Sequence, residues 1–313
     1  MTPEVLAQAG APWGNPLRLI RDYENVVAAM TIQGQAAVLR LTHISHRSHG
    51  QRAAELAFMQ DAATAGLPVC LPIASQRGTR VEPIGALFQV CCFVHASGRR
   101  ASWRTPLLWQ DRTVTSWGQT LARLHASSSA AGPARRWARP GWDEDDVTCG
   151  AYLPAGDADI TTRLQELIAQ CRSLPCQAQS YGLIHADVHQ GNLHVDAAGA
   201  LQLFDVDDAC YHWFLYDLSV VFYHLPDGEA ESVPRPTRQH IVDTILAGYC
   251  AQRALPEHAR RQLRLCMLLR DLQMYQSRFT QTAPEDRADD WQRTTTAMAR
   301  RIRAGCPVLA LPL

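Results

Sequence analysis

The chain has 313 residues, and its thirty basic and thirty acidic side chains leave no formal net charge. That balance excludes a nucleic-acid binder working through a broad basic face. No apolar run is long enough to cross a membrane, and MTPEVLAQAGAPWGN lacks the basic region and apolar core of a signal peptide, so neither membrane insertion nor export is expected.

Residues 16–42 read as paired strands, PLRLI, NVVAAMTI and QAAVLRLT, because β-branched and apolar residues alternate there, with a turn at Gly34. A helix follows. Ser48 is its N-cap, Leu56, Met59 and Ala63 form its apolar stripe, and Gly66 and Pro68 end it. VCLPIAS and ALFQVCCFV are predicted strands on either side of the turn signal QRGTR, and HASGRRASWRTP is a linker. PLLWQDRTVTSWGQTLARLHA returns to helix, with Trp117, Leu121 and Leu124 at helical spacings. The stretch 128–156 is rich in Ser, Gly, Pro and Asp and reads as irregular; DITTRLQELIAQCRS is helical again. YGLIHADV, NLHV and LQLFDVD are short strands separated by the loop HQG and the turn AAGA. From LYDLSVVFYHL onward the pattern is helix broken by Pro and Gly. The predicted class is α+β: a small antiparallel β lobe with one helix over residues 1–95, then a larger helical lobe over 96–313 that carries a β-hairpin. Two lobes and a linker make a cleft, where ligands bind. Ten cysteines form no Cys-x-x-Cys pair, and several lie in apolar runs such as FQVCCFV. They predict reduced, buried thiols and a cytoplasmic location.

The densest polar stretch is IHADVHQGNLHVD at 184–196. Taken alone it admits two chemistries. His185, Asp187 and His189 at i, i+2 and i+4 project to one side of a strand and could ligate zinc. Asp187 and Asn192, five apart, instead suit a phosphoryl-transfer loop. If NLHV and LQLF pair as a hairpin, Asn192 starts one strand and Asp205 ends the other. An amide oxygen and a carboxylate then share one end, where a hard cation such as Mg2+ could be held together with phosphate. Asp187 can reach the same space and accept a hydroxyl proton.

This pattern, His185-x-Asp187-x4-Asn192 followed by Asp205 in LFDVDDACYHWFLYDLS, resembles the aminoglycoside phosphotransferase, choline kinase and homoserine kinase grouping of protein-kinase-like enzymes. YENVV at 23–27, VLRLTH at 38–43 and Glu55 in AAELAF stand in the order of that family's nucleotide-binding lobe. The resemblance implies a protein-kinase-like two-lobed fold and an ATP-dependent O-phosphotransferase, with GTP as a second candidate nucleotide and Mg2+ as cofactor. It implies Asp187 as base and Asn192 and Asp205 as metal ligands. It also implies Arg40 against the α- and β-phosphates with Glu55 as its ion-pair partner, and the backbone near Phe93 and Val94 against adenine. Asp217 would accept backbone N–H groups beneath the catalytic loop.

Two departures from the family stand out. Every basic residue of the chain is arginine, so Arg40 takes the place of a lysine. No glycine lies between Leu17 and Met30, where a phosphate-covering loop is expected. His185 and His194 are read as packing residues. His189, Asp207 and Asp208 are candidates for phosphate, metal or substrate contact. The acidic run DEDD at 143–146 reads as a solvated loop that could attract a cation, and Trp103, Trp109, Trp117, Trp137 and Trp142 as packing of the helical lobe. The acceptor is expected to be a small-molecule hydroxyl, of an aminoglycoside, another antibiotic or an amino alcohol such as homoserine. The alternative is a stress-response-type protein serine/threonine kinase, towards which YEN and RLTH lean. More remote alternatives are a pseudokinase and a zinc hydrolase. No nucleic acid or membrane partner is expected.

Overall fold

Two β-strands flanking Gly34 open a sheet that is covered on both faces. The computed structural model describes residues 2–14, 17–130, 137–226 and 237–309. Pro16, residues 131–136 of the stretch read as irregular, and parts of the C-terminal region at 227–236 and 310–313 lie outside the described residues. Helix α1 (Pro3–Gly10) starts the chain, with Thr2 as N-cap and proline in its first turn. Then come β1 (Arg18–Asp22), β2 (Asn25–Ile32), β3 (Gln35–His43), α2 (His49–Thr64), β4 (Pro72–Ile73), β5 (Glu82–Ile84) and β6 (Phe88–Val94). The sheet runs β1-β2-β3-β6-β4 with β5 also on β6, all antiparallel.

The central strand explains its own sequence. In FQVCCFV, Val90 and Cys92 face a cluster with Ala9 and Trp13 at the N-terminal helix, whereas Cys91 and Phe93 join the cluster of Leu56, Phe58 and Met59 on α2. A strand buried on both faces needs a continuous apolar run. Helix α2 begins as read: Ser48 Oγ accepts from the Gln51 N–H (3.2 Å) and Gln51 Oε1 from the Ser48 N–H (2.9 Å), a capping box.

The expected linker carries a strand. β7 (Arg99–Arg100) pairs with β9 (Leu193–Val195), which pairs in turn with β10 (Leu201–Leu203). β8 (Tyr181–Ile184) pairs with β11 (Cys210–Trp213), a strand that the sequence pattern does not predict. The helices are α3 (Asp111–Ala130), α4 (Ala158–Arg172), α5 (Leu215–Tyr223), α6 (Arg238–Cys250), α7 (Ala259–Gln281) and α8 (Asp289–Arg303). α3 and α6 cross at two glycines: a Cβ on Gly118 would lie 2.1 Å from Ile245 O, and one on Gly248 2.3 Å from Thr115 O.

The lobes are joined by backbone hydrogen bonds and by a common core. Leu203 of the hairpin bonds Pro68 O and the Cys70 N–H (2.8 and 3.1 Å), and the buried cluster on α2 continues into α3, the hairpin, α5 and α6. Trp103, Trp109 and Trp117 stack on one another, and Trp142 meets Trp213, but Trp137 packs on Phe58 of α2. The thiols divide. Cys70, Cys91, Cys92, Cys171 and Cys266 are buried, while Cys149, Cys176, Cys250 and Cys306 are exposed, against the expectation of burial for all. No described helix is long and apolar enough to cross a membrane.

Candidate active site

The β9–β10 hairpin sets the geometry. Asp196 Oδ1 accepts from the Ala198 and Ala200 N–H groups (both 2.9 Å) and so shapes the turn. Leu193 is in register with Leu203, and the Phe204 N–H reaches Asn192 O (3.1 Å). Asn192 and Asp205 therefore lie at one end of the hairpin, as the strand pattern predicted.

The loop before it is held from below. Asp217, fully buried near the start of α5, accepts the His185 N–H on Oδ2 (3.1 Å) and the Ala186 N–H on Oδ1 (2.8 Å). His125 of α3 contacts the same Oδ2 (3.0 Å), and burial lowers its pKa so that it stays neutral. Ala186 has φ +67°, a left-handed conformation that costs alanine about 1 kcal/mol more than glycine. His185 uses both ring nitrogens structurally: Nδ1 accepts from the Asp187 N–H (3.3 Å), so Nε2 carries the proton towards Phe204 O (3.1 Å). His189 caps its own turn, Nδ1 accepting from the Gly191 N–H (2.8 Å). With those nitrogens occupied, the zinc reading of His185, Asp187 and His189 has no ligand set. His194 bonds Ala96 O (3.0 Å) and packs on Phe204, a structural place.

Asp187 is surrounded by donors. Asn192 Nδ2 donates to its Oδ2 (3.0 Å) and its backbone carbonyl (2.9 Å), His189 Nε2 lies 3.4 Å from Oδ2, and Arg270 Nη2 donates to Oδ1 (2.6 Å). Burial alone would raise the Asp187 pKa, but Arg270 and His189 hold it well below the usual carboxylate range. Because Asn192 spends its amide nitrogen on Asp187, its Oδ1 remains as a hard oxygen donor.

Arg40 and Glu55 meet as expected, Nη2 to Oε1 at 2.5 Å, and Arg40 Nη1 reaches Asp205 Oδ1 at 3.1 Å. The guanidinium stacks on Phe93, 5.0 Å from the ring centroid. Asp205, side chain two-fifths exposed and φ +61°, keeps Oδ2 without a hydrogen bond to any described residue. Asn192 Oδ1 and Asp205 thus present oxygen donors of the kind Mg2+ takes, with the Arg40 guanidinium against Asp205 Oδ1.

Phe93 is in register with Val38 and Pro72, and the Val94 N–H goes to Leu71 O (2.9 Å). The buried Ala96 has an N–H with no hydrogen bond among the described residues.

Asp207 turns away from the cleft into the N-terminal lobe. Its carboxylate contacts Asn25 (3.1 Å), His46 (2.9 Å) and Arg52 (2.9 Å), and its carbonyl accepts from Arg47 (3.0 Å) and from Arg139. Arg52 also pairs with Glu55 and bonds Thr42 Oγ1 (2.7 Å). Asp208, half-exposed, pairs with Arg47 (2.8 Å). The acidic run mostly caps its own loop: Glu144 accepts from the Gly141 N–H (3.0 Å), Asp145 from the Thr148 N–H (2.8 Å), and Asp143 pairs with Arg172 (2.9 Å). The sequence reading missed Arg270, His224, Arg52, Arg139 and Asn25 as site residues. Only Asn25, inside YEN, had any signal in a motif.

Comparison with known proteins gives a consistent picture. The profile of the phosphotransferase enzyme family, APH, matches residues 17–264. Amicoumacin kinase of Bacillus subtilis (strain 168) is 29% identical over 233 residues, 71% of this chain and 68% of that protein. An amicoumacin kinase solved in complex with AMP-PNP, Ca2+ and Ami superposes with a TM-score of 0.85 at 24% identity, over 94% of this chain and 90% of the other. A microcompartment-associated aminopropanol kinase superposes with a TM-score of 0.71 at 19% identity, over 96% and 95%. At these identities the structural likenesses show the protein-kinase-like fold.

Proposed function

The chain belongs to the phosphotransferase enzyme family, and from that premise we propose that it is an ATP-dependent kinase for a hydroxyl of an antibiotic of the amicoumacin kind. One observation carries the assignment of roles: Asn192 gives its amide N–H to Asp187 and keeps its oxygen at the hairpin end that also bears Asp205. The base on the loop and the ligands at the hairpin end are thereby tied together by a hydrogen bond.

In this reading Asp187 orients the acceptor hydroxyl and takes its proton. Asn192 Oδ1 and Asp205 would hold Mg2+, which would supply charge neutralisation at the phosphates. Arg40, kept in place by Glu55 and Phe93, holds the α/β side of the nucleotide as a fixed cation. The Ala96 N–H and the neighbouring Val94 carbonyl read the adenine edge; a buried peptide donor without a partner is satisfied by a ring nitrogen. Residues 1–95 act as the nucleotide lobe and 96–313 as the acceptor lobe. The acceptor lies between the catalytic loop and the insert at 141–153, which Gln273 and Gln276 of α7 tie down through Thr148 Oγ1 (2.8 Å) and Val147 O (2.6 Å).

The test is an acceptor screen. Purified protein with ATP and Mg2+ is offered amicoumacin A, hygromycin B, spectinomycin, 1-amino-2-propanol, choline and homoserine. ADP release and product mass are followed. Stimulated ADP release with an acceptor heavier by one phosphoryl group is expected, strongest for amicoumacin A. Nucleotide binding with no transfer to any hydroxyl would count against the reading.

A further inference from the structure

The two oxygens of Asp187 are not equivalent. Oδ2 faces two donors, Asn192 Nδ2 at 3.0 Å and His189 Nε2 at 3.4 Å. Oδ1 faces one, Arg270 Nη2 at 2.6 Å. A carboxylate oxygen has two lone-pair directions, so Oδ2, hydrogen-bonded to Asn192 with the His189 ring beside it, is the more crowded, and Oδ1 keeps one direction open. We propose that Arg270 of α7 is a positioning residue that fixes Oδ1 of Asp187 as the oxygen receiving the acceptor's proton.

The surroundings of Arg270 are built for that task. Its side chain is 12% exposed, so it is held rather than swinging in solvent. Nη2 also lies 3.1 Å from His224 Nε2, just past the end of α5. His224 is pushed down to about 3 by burial and by the charges of Arg270 and His189, so its Nε2 stays an acceptor. The ring of His224 lies 5.0 Å from that of His189, whose own tautomer is set by the Gly191 N–H. Tyr216 of α5 completes the enclosure, interacting with Arg270 and donating to Gln273, three residues on along α7. Donors from the catalytic loop and from α7 therefore converge on one carboxylate, and its plane cannot rotate without breaking contacts from both sides.

The inference rests on the kinase reading, and it specifies the proton's path. As the acceptor oxygen attacks the γ-phosphorus, its O–H bond breaks and an O–P bond forms. The bond from that phosphorus to the bridging oxygen breaks, its electron pair leaving with ADP. The proton goes to Asp187 Oδ1 and from there to water. Arg270 reaches Asp187 directly, and its assigned role is to act through that carboxylate.

The experiment compares wild type, Arg270→Gln and Arg270→Lys. ADP·Mg2+ affinity is measured by calorimetry. kcat and KM are measured for ATP hydrolysis and for phosphorylation of the acceptor that stimulates turnover most. Unchanged ADP affinity is expected, with kcat for both reactions lower by about 10- to 100-fold in R270Q, KM for ATP unmoved, and about tenfold of that recovered in R270K. R270Q turning over within about threefold of wild type, or R270K no better than R270Q, would overturn the assignment of Arg270 while leaving the kinase reading intact. A loss confined to KM, or one that vanishes when rates are corrected for folded protein, would do the same. A wild type that binds ADP but transfers phosphate neither to water nor to any acceptor would overturn both.

Discussion

Arg40 divides one guanidinium between carboxylates from two lobes, Glu55 on α2 and Asp205 beyond the hairpin, while its face lies on Phe93. A lysine ammonium is a point donor and cannot fork to both while stacking. Arg40→Lys is therefore expected to weaken ADP binding about tenfold, roughly 1.4 kcal/mol; calorimetry showing equal or tighter binding would mean that the fork is not what holds the nucleotide. Three histidines make a second prediction at this scale. His125 and His212 are held below the usual imidazole range by burial, and His224 is pushed down to about 3. The unfolded chain takes up protons at these sites below about pH 6.5, where the folded protein does not, so stability is full above that pH and falls as pH drops through it. Each site contributes a slope of up to about 1.4 kcal/mol per pH unit. Urea unfolding between pH 7.5 and 5 should show this loss, and His212→Gln should flatten it; a pH-independent midpoint would show that these rings titrate freely in the folded state. Asp187, Asn192, Asp205 and Glu55 were legible because the loop and hairpin that hold the first three are nearly contiguous, and Glu55 sits on a well-capped helix. Arg270 was not: one arginine among thirty, on a helix with other arginines on its faces, carries no mark in the sequence of what it will touch.

Among the elements, the α3–α6 crossing depends on absent side chains. Gly118 and Gly248 let the backbones approach so closely that a methyl group on either would fall well inside contact distance of a carbonyl oxygen. Alanine is the better helix former by about 1 kcal/mol, and an exposed Gly→Ala change would stabilise. Here overpacking wins: Gly118→Ala and Gly248→Ala should each destabilise by about 1–3 kcal/mol or more, read from denaturant midpoints. A stabilised variant would mean that the helices can slide apart freely. The same reasoning explains which elements the sequence hid. Helix α1 is only eight residues long and is recognisable chiefly by Thr2 and Pro3 at its start. β7 is two residues of a segment rich in turn formers, and it becomes a strand only because β9 offers an edge. β11 lies inside CYHWFLYD, an apolar run whose period suits helix or strand equally.

At the scale of the whole molecule, Asp207 ties the segment after the β9–β10 hairpin to the N-terminal lobe. Asn25, His46, Arg47 and Arg52 converge on it from the N-terminal lobe, and Arg139 draws in the insert while also bonding Gln51 O (3.2 Å). The two lobes are thus joined by buried charge as well as by shared apolar core. Removing one partner leaves the others uncompensated, so Asp207→Ala should cost about 3–5 kcal/mol. Coincident changes in unfolding followed from both lobes would confirm that the cluster couples them; loss of activity at unchanged stability would not. The pattern of two lobes and a hairpin was visible in the chain order of strands and helices. The charged junction was not, because its residues are scattered over the chain and meet only in the fold.

The account stands on Asp187 as the group that takes the acceptor's proton. Its most direct test is single-turnover phosphoryl transfer from ATP to the best acceptor, comparing wild type with Asp187→Asn at matched ADP affinity. The account predicts transfer slowed by about 100- to 10,000-fold with nucleotide binding intact. Transfer by the variant within about tenfold of wild type would contradict it.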